Sequence, residues 1–195
     1  MLPKGKLEKL YKSGLSMMEM SSKVGYSPSG VKYWMEKYNI PRRSWSEATY
    51  VKKNPKGDPF KIKQRLNKND ILLKGLGLGL YWGEGDKSVN NTQFRISNSD
   101  PFLIKKFREF LIKICGVKRE KVRYSLVIFN DSNKLKAINF WGKYLRIKKS
   151  QLGKVINIPS QGEGTYKKKN QFGVITMTVS NKKLKEKILE QIKQI

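Results

Sequence analysis

The chain has 195 residues, 38% of them hydrophobic and 11% aromatic, enough apolar side chain to build a core and too much for a disordered tail. It carries 42 Lys+Arg against 15 Asp+Glu, a formal net charge of +27, and that excess favours a polyanionic partner, nucleic acid first. Histidine is absent and cysteine occurs once, which excludes Ser-His-Asp triads, histidine-metal chemistry, cysteine zinc sites and an internal disulfide framework.

The N-terminus, MLPKGKLEKLYK, has no long apolar segment, so neither a signal peptide nor a membrane span is expected and a cytoplasmic protein is implied. Leu7, Leu10 and Tyr11 fall at helical spacing, and Gly14 ends that first helix. Ser16 with Glu19 three residues on forms a capping box for a second helix that stops at Gly25. Ser27 and Pro28 then open a third helix to about Asn39, with Val31, Trp34, Met35 and Tyr38 on its apolar face. Residues 14 to 44, GLSMMEMSSKVGYSPSGVKYWMEKYNIPRRS, resemble a helix-turn-helix of the homeodomain-like or resolvase-like sort. The resemblance implies a small all-α domain over residues 1–45 whose third helix enters the major groove, with Ser27, Ser29, Gly30, Lys32 and Tyr33 facing the DNA. Arg42 and Arg43 follow Pro41 as an arm for a minor groove or for phosphates, or as a solvated charge run.

Residues 46–69, rich in lysine with two prolines and weak periodicity, read as a basic linker. Asp70 then caps a helix through ILLKGLGLGLYWG. A strand follows within residues 87–98, where Phe94 and Ile96 alternate with Gln93, Arg95 and Ser97. Asp100 and Pro101 open a helix carrying Phe107, Phe110, Leu111 and Ile114, the last next to Cys115, which reads as buried filler. A strand at 122–129, carrying Arg123 and Ser125, an amphipathic helix at 133–145, strands at VINI and FGVITMTV, and a closing helix after Asn181 complete a mixed α+β domain over residues 70–195.

The stretch GLGLGLYWGEGDK, residues 75–87, holds five glycines in an apolar helix, where each costs about 1 kcal/mol relative to alanine. Gly75, Gly79 and Gly83 lie four apart on one face, the pattern that lets a second helix approach backbone to backbone. If that helix is its own copy in a second subunit, two-fold symmetry brings two Glu84 side chains together, and a hard cation such as Mg²⁺ would relieve their repulsion. Asp86 and Lys87 read either as groups supporting Glu84 from behind or as solvated turn residues, with the solvated reading favoured.

GLGLYWGEG, residues 77–85, resembles the signature of the LAGLIDADG homing endonucleases: Gly79 matches the motif glycine, Gly83 the small residue, Glu84 the final acid and Gly85 the glycine after it. Trp82 stands where the family has its first Asp, and Gly77 where it has its first Leu. The resemblance implies an antiparallel saddle-shaped sheet, a homodimer with its interface along Gly75, Gly79 and Gly83, double-stranded DNA as substrate, and Mg²⁺ on paired Glu84. It also implies DNA contacts from Gln93, Arg95, Ser97, Arg123 and Ser125, a catalytic basic role for Lys148 in LRIKKSQ, and a water-holding role for Asn98. Four readings compete: a regulator that kept the fold without cleavage, an RNA-binding protein, a glycine-faced structural helix that merely ends in a surface acid at Glu84, and a phosphate loop, which the absence of a third glycine at Trp82 and of GK[ST] opposes.

Overall fold

The computed structural model describes residues 1–88, 90–159 and 171–194, and the chain divides into two compact units, Met1–Pro59 and Phe60–Ile195. The first unit is all helical: α1 (Lys4–Lys12), α2 (Met17–Val24), α3 (Pro28–Lys37) and α4 (Trp45–Lys53). Ser16 and Glu19 form the expected capping box, Gly25 closes α2 with φ of 72°, and Ser27 caps α3 by accepting from the Gly30 N–H. Leu2, Leu7, Met20, Val31 and Met35 make its core.

The linker expected over 46–69 is instead folded. Ser44 and Glu47 cap α4, and Tyr50 on that helix donates to Asp58 at 3.0 Å. Residues 60–66 belong to the second unit, where Phe60 enters the core and the N–H groups of Lys61 and Lys63 bond the carbonyls of Cys115 and Ile114 at 3.1 and 2.8 Å. Lysine content hid these attachments, because they run through backbone groups and one aromatic ring.

The second unit contains α5 (Lys68–Glu84), β1 (Phe94–Asn98), α6 (Pro101–Lys113), β2 (Arg123–Phe129), α7 (Lys134–Leu145), β3 (Leu152–Ile158), β4 (Val174–Val179) and α8 (Lys182–Lys193). The cap of α5 is Asn67, with Asp70 as its capping-box partner rather than as the cap. The four strands form one sheet in the order β1-β4-β2-β3. β4 pairs antiparallel with both β1 and β2, whereas β2 and β3 run parallel. The sheet is therefore mixed, not antiparallel, because the chain between β2 and β3 passes through α7 and returns in the same direction.

Strict alternation in β2 and β4 sends Tyr124, Leu126, Ile128, Ile175, Met177 and Val179 into the core. They meet Tyr81, Phe107, Phe110, Trp141 and Ile188 from the helices. The opposite face of the sheet carries Arg95 and Ser97 of β1, Arg123 and Ser125 of β2, and Thr176 and Thr178 of β4, with Val127, Val174 and Ile156 toward one end.

Candidate nucleic-acid interface

Glu84 is the last residue of α5, and the chain around it is fixed on both sides. Tyr81, fully buried, lies 4.3 Å from the Phe94 ring and stacks on Phe107, and its hydroxyl donates to the Asp86 carbonyl at 2.6 Å. The Gly85 N–H bonds the Tyr81 carbonyl at 2.9 Å, Gly85 bridges to Ile96, and the Asp86 N–H bonds the Arg95 carbonyl at 3.0 Å. A Cβ on Gly85 would stand 2.3 Å from the Tyr81 ring, so only glycine permits this turn. The result ties the end of α5 to the edge strand β1 and leaves Glu84 exposed, with no ion pair among the described residues.

Asp86 is not a solvated turn residue. Its carboxylate accepts from the Ser88 N–H at 2.9 Å, from Asn91 at 2.6 Å and from Arg95 Nε at 2.8 Å, and stands 3.8 Å from Lys185 Nζ. The Ser88 N–H, together with Asn91, Arg95 and Lys185, holds the carboxyl below the usual carboxylate range. Lys185 is buried and donates to the carbonyls of Ser88 and Asn91, each at 2.8 Å. This loop replaces most of the strand expected from residue 87. No local pattern announced it, since Lys185 is 99 positions away from Asp86 in the chain and sits in a lysine-rich helix like any other.

The polar face of the sheet and the end of α5 line one open concavity of about 650 Å³. It brings together Glu84, Gln93, Arg95, Ser97, Arg123 and Ser125, with Thr176 and Thr178 of β4 between them. The two threonines went unnoticed in the sequence, although the alternation in VITMTV places them outward.

Two expected site residues are not there. Asn98 follows Phe94 and Ile96 on the inward side of β1, and its Oδ1 accepts from the Asp100 N–H at 2.8 Å, so it caps the turn into α6. Lys148 precedes β3, the edge of the sheet opposite β1, and is absent from the concavity around Glu84. Strand alternation and strand order, neither visible in a short motif, decide both positions.

The glycines of α5 divide by face. A Cβ on Gly77 would lie 2.1 Å from the Phe110 ring, so Gly77 makes the close packing of α5 on α6. Gly75, Gly79 and Gly83 have nothing within 4 Å of such a Cβ, and Leu72 and Trp82 beside them are 65% and 64% exposed. The stripe faces open space in the single chain.

In the first unit, Ser27 and Ser29 are exposed at the start of α3 with their hydroxyls 3.0 Å apart, Lys32 pairs with Glu36 at 3.7 Å, and Tyr33 is 56% exposed. Arg42 is exposed. Arg43 is not an arm: its guanidinium lies 3.9 Å from the Tyr11 ring centroid and donates to the carbonyls of Tyr11 and Leu15. It anchors the segment after α3 to α1.

Comparisons with protein-family models, curated proteins and solved structures found no match. Function therefore rests on the site. No group of three or more His, Cys, Asp or Glu capable of holding a metal occurs among the described residues, and no described helix is long and apolar enough to cross a membrane. Among the described residues, the concavity holds one carboxylate without an ion pair, Glu84, beside a face of arginines and hydroxyls. That set can bind phosphates and base edges.

Proposed function

We propose that the chain is a sequence-specific double-stranded DNA endonuclease of the homing type that acts as a homodimer, with Mg²⁺ held between two copies of Glu84. One observation carries the reading: an unpaired Glu84 ends a helix whose glycine face is unpartnered, beside an open basic and hydroxyl-bearing sheet face. Docking of a second α5 would cover Leu72 and Trp82 and bring the two carboxylates to one axis.

Glu84 fits Mg²⁺ only as half a ligand set. Asp86 cannot complete it, because both of its oxygens already accept from Ser88, Asn91 and Arg95. Two Glu84 carboxylates, phosphate oxygens and water form the hard-oxygen shell that Mg²⁺ takes. When bound there, Mg²⁺ lowers the pKa of a coordinated water and stabilises the leaving oxygen of a phosphodiester. Arg95 and Arg123 hold the duplex against the sheet, and the helices of the first unit add a tethered contact with DNA through Ser27, Ser29, Lys32, Tyr33 and Arg42.

The test is cleavage of a randomised duplex library in Mg²⁺, with sequencing of the cut ends, alongside sedimentation of the protein on its best duplex. Wild type should give recurrent ends at a near-palindrome and a dimer, and Glu84→Gln should bind and not cut. A monomer on that duplex would sink the proposal.

A regulator that binds DNA without cutting is favoured by one observation, the placement of Asn98 and Lys148 outside the Glu84 concavity. It would retain duplexes equally with wild type and Glu84→Gln and give no ends with either.

A further inference from the structure

The strand register arranges the open sheet face into three chemically distinct rows. In the first, Arg95 and Arg123 both pair with Thr178, one from each side. In the second, Ser97 and Ser125 both pair with Thr176, and the Ser97 and Thr176 hydroxyls are 2.7 Å apart. In the third, Val127 pairs with Val174 on one side and with Ile156 on the other, and Ile156 is 46% exposed. Charge, hydroxyl and aliphatic side chains thus follow one another along the strands.

We propose, resting on the DNA reading above, that these rows set base preference: Arg95 reads a guanine, the hydroxyl row accepts several bases, and Val127 with Ile156 read a thymine. Arg95 is prepared for its role. Its Nε is held by Asp86 at 2.8 Å, and Asp86 is itself held by Asn91 and the Ser88 N–H, so the guanidinium plane is set while its two terminal nitrogens stay free for the O6 and N7 of guanine. Arg123 is different. One of its terminal nitrogens already donates to the Glu120 carbonyl at 2.5 Å, which ties the end of the side chain back to its own strand entry and leaves Nε and the other terminal nitrogen for a phosphate.

Serine and threonine hydroxyls both donate and accept, so the middle row cannot discriminate strongly. The thymine methyl is the one apolar group on the floor of the major groove, and an exposed isoleucine beside a half-buried valine on a DNA-facing sheet has no other partner there. Successive outward residues on a strand are about 6.8 Å apart. The first and third rows are therefore separated by about 13.6 Å, or about four base pairs at about 3.4 Å each where the strands follow the groove.

The experiment is enrichment of a randomised duplex library by the full-length chain in EDTA, so that binding is read without cutting, with wild type, Arg95→Gln, Asp86→Asn and Ile156→Ser. The wild-type motif should hold a guanine and a thymine about four base pairs apart within one half-site. Arg95→Gln should lose only the guanine preference, a fall of about 5- to 150-fold in discrimination, and the surviving thymine would show that the variant is folded. Asp86→Asn should weaken the guanine preference with Arg95 still present, and Ile156→Ser, which leaves no methyl at that position, should lose only the thymine.

A guanine that survives Arg95→Gln, or a thymine that survives Ile156→Ser, would overturn the row assignment while leaving the DNA reading intact. A wild-type pool without any motif would remove the DNA reading and the assignment together.

Discussion

Asp86 gathers four polar partners into a loop that would otherwise have no core of its own, and its ionisation state matters to that loop. Because its folded pKa is depressed, the stabilisation it gives is fully present above the unfolded value of about 3.9 and is lost as pH falls through the folded value. Asp86→Asn should therefore lower the melting temperature at neutral pH, and the gap from wild type should shrink as pH falls below about 4. Thermal melts of both proteins from pH 7 to pH 3 would check this, and a constant gap would mean that ionisation is not involved. Cys115, fully buried, has its thiol pushed up to about 12 by burial. Thiol reagents at neutral pH should leave it unlabelled in the folded chain and label it once denaturant is added, as mass spectrometry would report.

Two glycines of one helix make opposite predictions. Gly77→Ala forces a Cβ into the Phe110 ring and should destabilise the chain by about 1–3 kcal/mol, seen as a lower denaturant midpoint. Gly79→Ala adds a methyl to open space, so it should stabilise the isolated chain by about 1 kcal/mol through helix propensity. If α5 pairs with its copy, the same methyl should weaken the dimer, and sedimentation on DNA would separate the two effects. Equal destabilisation by both substitutions would mean that the stripe is packed in the isolated chain. The sequence puts the two glycines on different helix faces, Gly79 in line with Gly75 and Gly83 and Gly77 off that line, without saying which face is packed. Their difference comes from the azimuth at which α6 lies against α5, which follows from burying Leu78 and Tyr81.

At the scale of the whole molecule the charge of +27 dominates. Affinity for duplex DNA should fall steeply between 50 and 200 mM salt, by about 10³- to 10⁵-fold for six to ten neutralised phosphates, and a fluorescence-anisotropy titration would measure the slope. A flat salt response would remove nucleic acid as the partner. The caps at Ser16, Ser27 and Asn181, the break at Gly25, the alternation of β2 and β4, and the acid at the end of the glycine helix were all determined by the sequence itself, because each rests on contacts within a few residues. Only the tertiary structure decided that the supposed linker is shared between two cores, that β3 runs parallel to β2, that Asn98 turns inward, that Lys148 lies at the far edge of the sheet, and that Asp86 meets Lys185. These depend on strand order and on pairs distant in the chain, whose geometry is set by packing one amphipathic face on another.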